Sequence, residues 1–124
     1  AEILKEMDER VAWFKAHDKL LEAQRIRERV NRARDIQKRR YAGTGVYCNA
    51  QLLPGMMRDC CPLTEEARLL MEGAFDRLGL SARSYDRILK VARTIADLAG
   101  EEQISELHAA EAIQYRSLDR EALL

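Results

Sequence analysis

The chain has 124 residues, with 21 lysines and arginines against 21 aspartates and glutamates and a formal net charge of zero. Such a balance supplies no overall field to hold nucleic acid or a membrane surface, so any such binding must come from a local cluster. With 47% hydrophobic residues, 34% charged residues and only two prolines, the composition excludes a disordered chain and suits one helix-rich domain with a modest core.

Ile3, Met7, Val11 and Phe14 recur at helical spacing, which predicts an amphipathic helix over residues 2–16. His17 and Asp18 are the candidate break, with Asp18 able to cap a second helix; because no Gly or Pro intervenes, one long helix to Arg40 is the alternative. Ile26, Val30, Ala33, Gln37 and Tyr41 carry the periodicity onward until Gly43-Thr44-Gly45 ends it. Residues 46–61 are the least regular, with Asn49 as a candidate cap and Pro54-Gly55 as a turn. Thr64 followed by Glu65-Glu66 is a strong helix start, and Gly79 is the stop. Ser81 opens the next helix, expected to reach Ala99 and stop at Gly100; Ser105 opens the last, expected to reach Arg116. No alternating segment suggests a strand. The fold class is therefore all-α, an irregular bundle of four to five helices, with Leu70, Phe75, Ile88, Leu89, Ile95, Leu107 and Ile113 expected in its core.

No apolar run approaches the roughly 20 residues needed to cross a bilayer, and the acidic residues 1–10 do not resemble a secretory leader. A cytoplasmic setting without membrane contact is expected, and Cys48, Cys60 and Cys61 are expected as reduced, structural thiols. A zinc site would require Cys48 and His108 to converge on the vicinal pair, a spacing unlike ordinary ligand motifs. The sequence holds no phosphate-binding loop, no dinucleotide fingerprint and no hydrolase motif. The paired carboxylates lie at helix starts, where the helix dipole accounts for them. The chain is not expected to be an enzyme by itself.

Two basic features remain. Between residues 25 and 40 the positive side chains include Arg25, Arg29, Arg32, Arg39 and Arg40, against two acids, Glu28 and Asp35. They are candidate DNA or subunit contacts, or else a solvated helix face. The second feature is Arg83, in the first turn of a capped helix that continues with Arg87, Lys90 and Arg93. A guanidinium beside outward-pointing N–H groups offers a planar fork suited to a phosphate, although spacing alone does not distinguish it from a structural arginine and, without more, favours that reading.

The run LSARSYDRILKVARTIADL over residues 80–98 is followed by Ile104 and by HAAEAIQYR over residues 108–116. Together with Arg29-Val30, Ala33-Arg34, Gln37 and Asn49-Ala50, it resembles the C-terminal domain of the magnesium-chelatase-like AAA+ ATPases of the ComM/YifB type. That resemblance covers about residues 26–118. It implies a helical lid over residues 21–118, packed on a P-loop ATPase core, with residues 1–20 as an N-terminal helix or linker and 119–124 as a tail. It assigns Arg83 as the sensor-2 arginine reaching the γ-phosphate, with ATP and Mg²⁺ as cofactors of the full-length protein and no metal site in this domain. The implied partners are the AAA+ cores of the same and neighbouring subunits, in a hexameric DNA motor for branch migration in recombination and natural transformation. A lid in this role should leave Arg83 exposed at a helix start.

Overall fold

The computed structural model describes the backbone of residues 2–122 and the side chains of residues 3–116. Its elements are α1 (Glu2–Arg40), a 3₁₀ turn at Asn49–Gln51, a second at Pro54–Met56, α2 (Met57–Cys60), α3 (Glu65–Leu78), α4 (Ala82–Leu98) and α5 (Glu106–Ala122). The described residues contain no strand, only a single parallel bridge between Leu63 and Ile104. The all-α expectation holds.

The chain divides into two compact units, residues 1–31 and residues 32–124, with the boundary inside α1. In the first unit every described side chain except the half-buried Val30 is exposed. The expected break at His17-Asp18 is absent. The His17 ring stacks on Trp13 and its Nδ1 lies 2.9 Å from the Trp13 carbonyl, a contact one helical turn back. With no Gly or Pro in the segment, nothing ends the i→i−4 ladder there.

The second unit holds the core. Ala33 near the end of α1 and Tyr41 just beyond it contribute, the irregular segment contributes Leu52, Met57 and Cys61, and α3 to α5 contribute Ala67, Met71, Ile88, Leu89, Ala92, Ala96, Ala109 and Ala112. Local chemistry fixes the helix ends. Thr64 accepts from the Ala67 N–H at the start of α3, and Gly79 closes it at a φ of 59°, where a Cβ would be strained. At the start of α5 the Ser105 hydroxyl accepts from the His108 N–H while His108 Nδ1 accepts from the Ser105 N–H, so the pair forms a reciprocal cap. His108 is thus committed to structure. Thr64 N–H donates to the Ile104 carbonyl and Ile104 N–H to that of Pro62, pinning the approaches to α3 and α5 together.

Several core expectations need correction. Ile88 and Leu89 are buried, and Leu70, Ile95 and Ile113 are half-buried, but Phe75 is 40% exposed and Leu107 is 80% exposed. On α5 the inward residues are Ala109 and Ala112, about half a helical turn away from Leu107. Phe75 rests edge-on against Tyr85 at 5.8 Å between ring centres rather than inside the core. Leu78 and Leu98, at helix ends, are exposed as well. The last helix runs past Arg116 to Ala122, so the tail expected from 119 is helical as far as the description extends.

Candidate functional site

Ser81 caps α4 by accepting the Ser84 N–H at 3.1 Å, and this places Arg83 in the first turn, exposed to solvent. Residues 83, 87 and 90 follow at spacings of four and three, so their side chains share one face of the helix. That face forms one wall of a groove of about 670 Å³. Arg83, Asp86, Arg87, Ile88, Lys90 and Val91 supply this wall, Ala112, Tyr115 and Arg116 of α5 supply another, and Ala50 and Pro54 close it.

Four cations thus face one concavity with a single carboxylate, Asp86, among its lining residues. The ion pairs among the described residues engage Arg40, Arg68 and Arg93, and none of the four groove cations. Lys90 donates to the Ala50 carbonyl at 3.4 Å. Arg116 Nη2 donates to Ser84 Oγ at 3.3 Å, tying α5 to the first turn of α4, while its buried Nε finds no hydrogen-bond partner. Chemically the groove suits an anion with several oxygens.

Arg93, grouped with these cations in the sequence, belongs elsewhere. It is fully buried, donating to the Glu101 and Glu102 carbonyls at 2.6 Å each and to Asp97 Oδ1 at 3.1 Å. Asp97 also takes two hydrogen bonds from Arg40, at 2.6 and 2.9 Å, one from Asn49 at 2.9 Å and one from Gln37 at 3.2 Å. Burial pushes the Asp97 carboxyl up, but the hydrogen bonds from Arg40 and Asn49 and the charges of Arg93 and Arg40 outweigh it and hold it below the usual carboxylate range. The hydrogen bonds it donates to Asp97 hold the Arg40 guanidinium above its ordinary value, against its partial burial. Asn49 donates further to Thr94 Oγ1 and accepts from Tyr41, so the residue expected to cap a turn is a buried joint between α1 and α4. Only the i, i+4 pair Arg93–Asp97 was legible in the sequence; the other partners lie 48 to 60 positions from Asp97.

The remaining candidates separate. Arg25, Arg29, Arg32 and Arg39 are exposed, whereas Arg40 is spent on Asp97 and Asn49. Cys61 is buried, which pushes its thiol up to about 11, and Cys48 and Cys60 are half-buried. Among the described residues no group of three or more His, Cys, Asp or Glu is placed to hold a metal. No helix among them is long and apolar enough to cross a membrane.

Residues 21–116 match the family model described as magnesium chelatase, subunit ChlI C-terminal. Competence protein ComM of Haemophilus influenzae is 45% identical over 95 residues, covering 77% of this chain and 18% of that protein. The uncharacterized YifB proteins of Escherichia coli and Salmonella typhimurium are 40% and 39% identical over the same length, with the same coverage of both chains. The chain therefore spans about a fifth of the length of these relatives. The groove-forming segments, from Ala50 to Arg116, lie inside the matched region, and the chain belongs to the magnesium chelatase subunit ChlI C-terminal family.

Proposed function

We propose that residues 21–116 act as the helical lid of a ComM/YifB-like AAA+ ATPase and that Arg83 is its sensor-2 arginine. The observation that carries this reading is the exposure of Arg83 in the first turn of a capped helix, at the rim of a groove lined by three more cations without ion-pair partners. A guanidinium so placed responds to a charge that comes and goes with the γ-phosphate, and a lid biased by that charge turns hydrolysis into rigid-body motion. With one carboxylate in its lining, the groove suits the phosphates of ATP rather than Mg²⁺, whose ligands would come from the ATPase core. Arg116 acts as a positioning residue, holding the first turn of α4 through Ser84. In this reading the lid supplies no catalytic site alone and works against its own and neighbouring cores in a hexameric, cytoplasmic DNA motor for branch migration, recombination and natural transformation.

The test is steady-state ATP turnover by the full-length protein, wild type against Arg83→Ala, with and without branched DNA. A loss of at least about tenfold is expected while the ring still assembles, as removal of one charge-stabilising donor commonly gives a hundredfold or more. Unchanged turnover would make Arg83 structural.

A second reading is favoured by the exposure of Arg25, Arg29, Arg32 and Arg39, in which α1 contacts DNA or a neighbouring subunit. It takes over if Arg83→Ala is silent and the 124-residue chain binds duplex DNA with affinity that falls steeply with salt.

A further inference from the structure

The first half of α1 carries an apolar stripe that the lid reading does not use. Leu4, Met7, Val11, Phe14 and Leu21 alternate at spacings of three and four, broken only at Asp18, and each is between 51% and 68% exposed. At 100° per residue they fall within about 100° of the helix circumference and extend along about 26 Å of its length. Spacings of this kind define the seam of a two-helix coiled coil. Most of the stripe precedes residue 21, where the family match begins.

We infer that this stripe pairs with the same stripe of a second copy of the chain, antiparallel, around a midpoint between Ala12 and Trp13. The inference rests on α1 alone and is independent of the role of Arg83. Charge complementarity selects both the occupant and its direction. In the antiparallel register Leu4 faces Leu21 of the second copy, Val11 faces Phe14, and Asp18 faces Met7 with Arg10 one turn away. Asp8 and Lys15 then flank the seam on the same side and meet across the axis twice, once in each direction. A parallel pair would set Asp18 against Asp18 inside the seam and Arg10 against Lys15 at its edge. Both contacts are repulsive.

Five apolar side chains per copy make a short seam, so association belongs at protein concentrations of roughly 1–100 μM. Sedimentation velocity of the 124-residue chain over that range should show a monomer–dimer equilibrium. The double variant Val11→Asp with Phe14→Asp should be monomeric throughout. Lys15→Asp sets direction: it should weaken the dimer at least about threefold, and adding Asp8→Lys should restore it. A dimer strengthened by Lys15→Asp would overturn the antiparallel register, because only a parallel pair gains by relief of the Arg10–Lys15 contact. A wild-type chain that stays monomeric, or a dimer that survives Val11→Asp with Phe14→Asp, would overturn the pairing; the former would leave the stripe to a different protein. Circular dichroism of each variant checks that helix content is kept, and the single charge variants, which leave every apolar residue in place, decide the matter if the double variant loses its helix.

Discussion

The carboxylate of Asp97 gathers donors from Gln37, Arg40, Asn49 and Arg93, four residues drawn from three separated stretches of chain. Two guanidiniums on one buried carboxylate leave a net positive charge, and Arg93 offsets its share by donating to the Glu101 and Glu102 carbonyls. Removal of the carboxylate leaves Arg93 buried and unpaired. Asp97→Ala is therefore expected to cost about 3–5 kcal/mol, read as a lower urea midpoint at neutral pH. The pH dependence has a definite sign. The folded-state pKa lies below that of the unfolded chain, so the stabilisation is complete above about pH 4 and is lost as pH falls through the folded value. Wild type should lose stability on acidification below about pH 4 more steeply than Asp97→Asn, narrowing the gap between them. A gap constant from pH 7 to pH 2.5 would show that the charge on Asp97 contributes nothing.

Among the helices, what the sequence made legible is what local chemistry decides. Thr64, Gly79, Ser81 and Gly100 each mark an end where the chain does turn, because a cap or a positive φ involves only residues within about one turn. The buried face of each helix was less legible. Periodicity registers which positions are apolar, while packing selects those that meet a neighbour. On α5 the small residues Ala109 and Ala112 allow close approach to α3 and α4, and Leu107 falls on the opposite side. Ile88, 2% exposed, and Leu107, 80% exposed, give the contrast a measurable form. Ile88→Ala should lower stability by about 2–5 kcal/mol, the cost of a core cavity, and Leu107→Ala by less than about 0.5 kcal/mol. Guanidinium unfolding of both variants checks this, and equal losses would place Leu107 in a packed environment. The groove was half legible. Arg83, Arg87 and Lys90 lie on one helix and share a face by spacing alone, whereas Arg116 joins them only through the packing of α5 on α4.

At the scale of the whole molecule, the two units differ in what holds them. Buried residues begin at Ala33, and the core is assembled from residues between there and Ala112. Residues 3–29 contribute no buried side chain, so their helix rests on backbone hydrogen bonds and on local contacts such as the Trp13–His17 stack. A helix without buried contacts opens at little cost, while the bundle opens only with its core. Deletion of residues 1–20 should therefore leave the unfolding free energy of the remainder, read from guanidinium unfolding, within about 0.5 kcal/mol of the full chain, measured at concentrations below those at which the chain pairs. The chain contains a single tryptophan, Trp13, in the deleted stretch, and this gives a second readout on the intact protein. Its fluorescence should change gradually with denaturant while the far-ultraviolet circular dichroism of the bundle falls cooperatively. Coincident transitions, together with a lowered midpoint after deletion, would mean that the first half of α1 stabilises the bundle. Independent behaviour would free that half for a partner, since what pairs with it would then leave the stability of the groove unchanged.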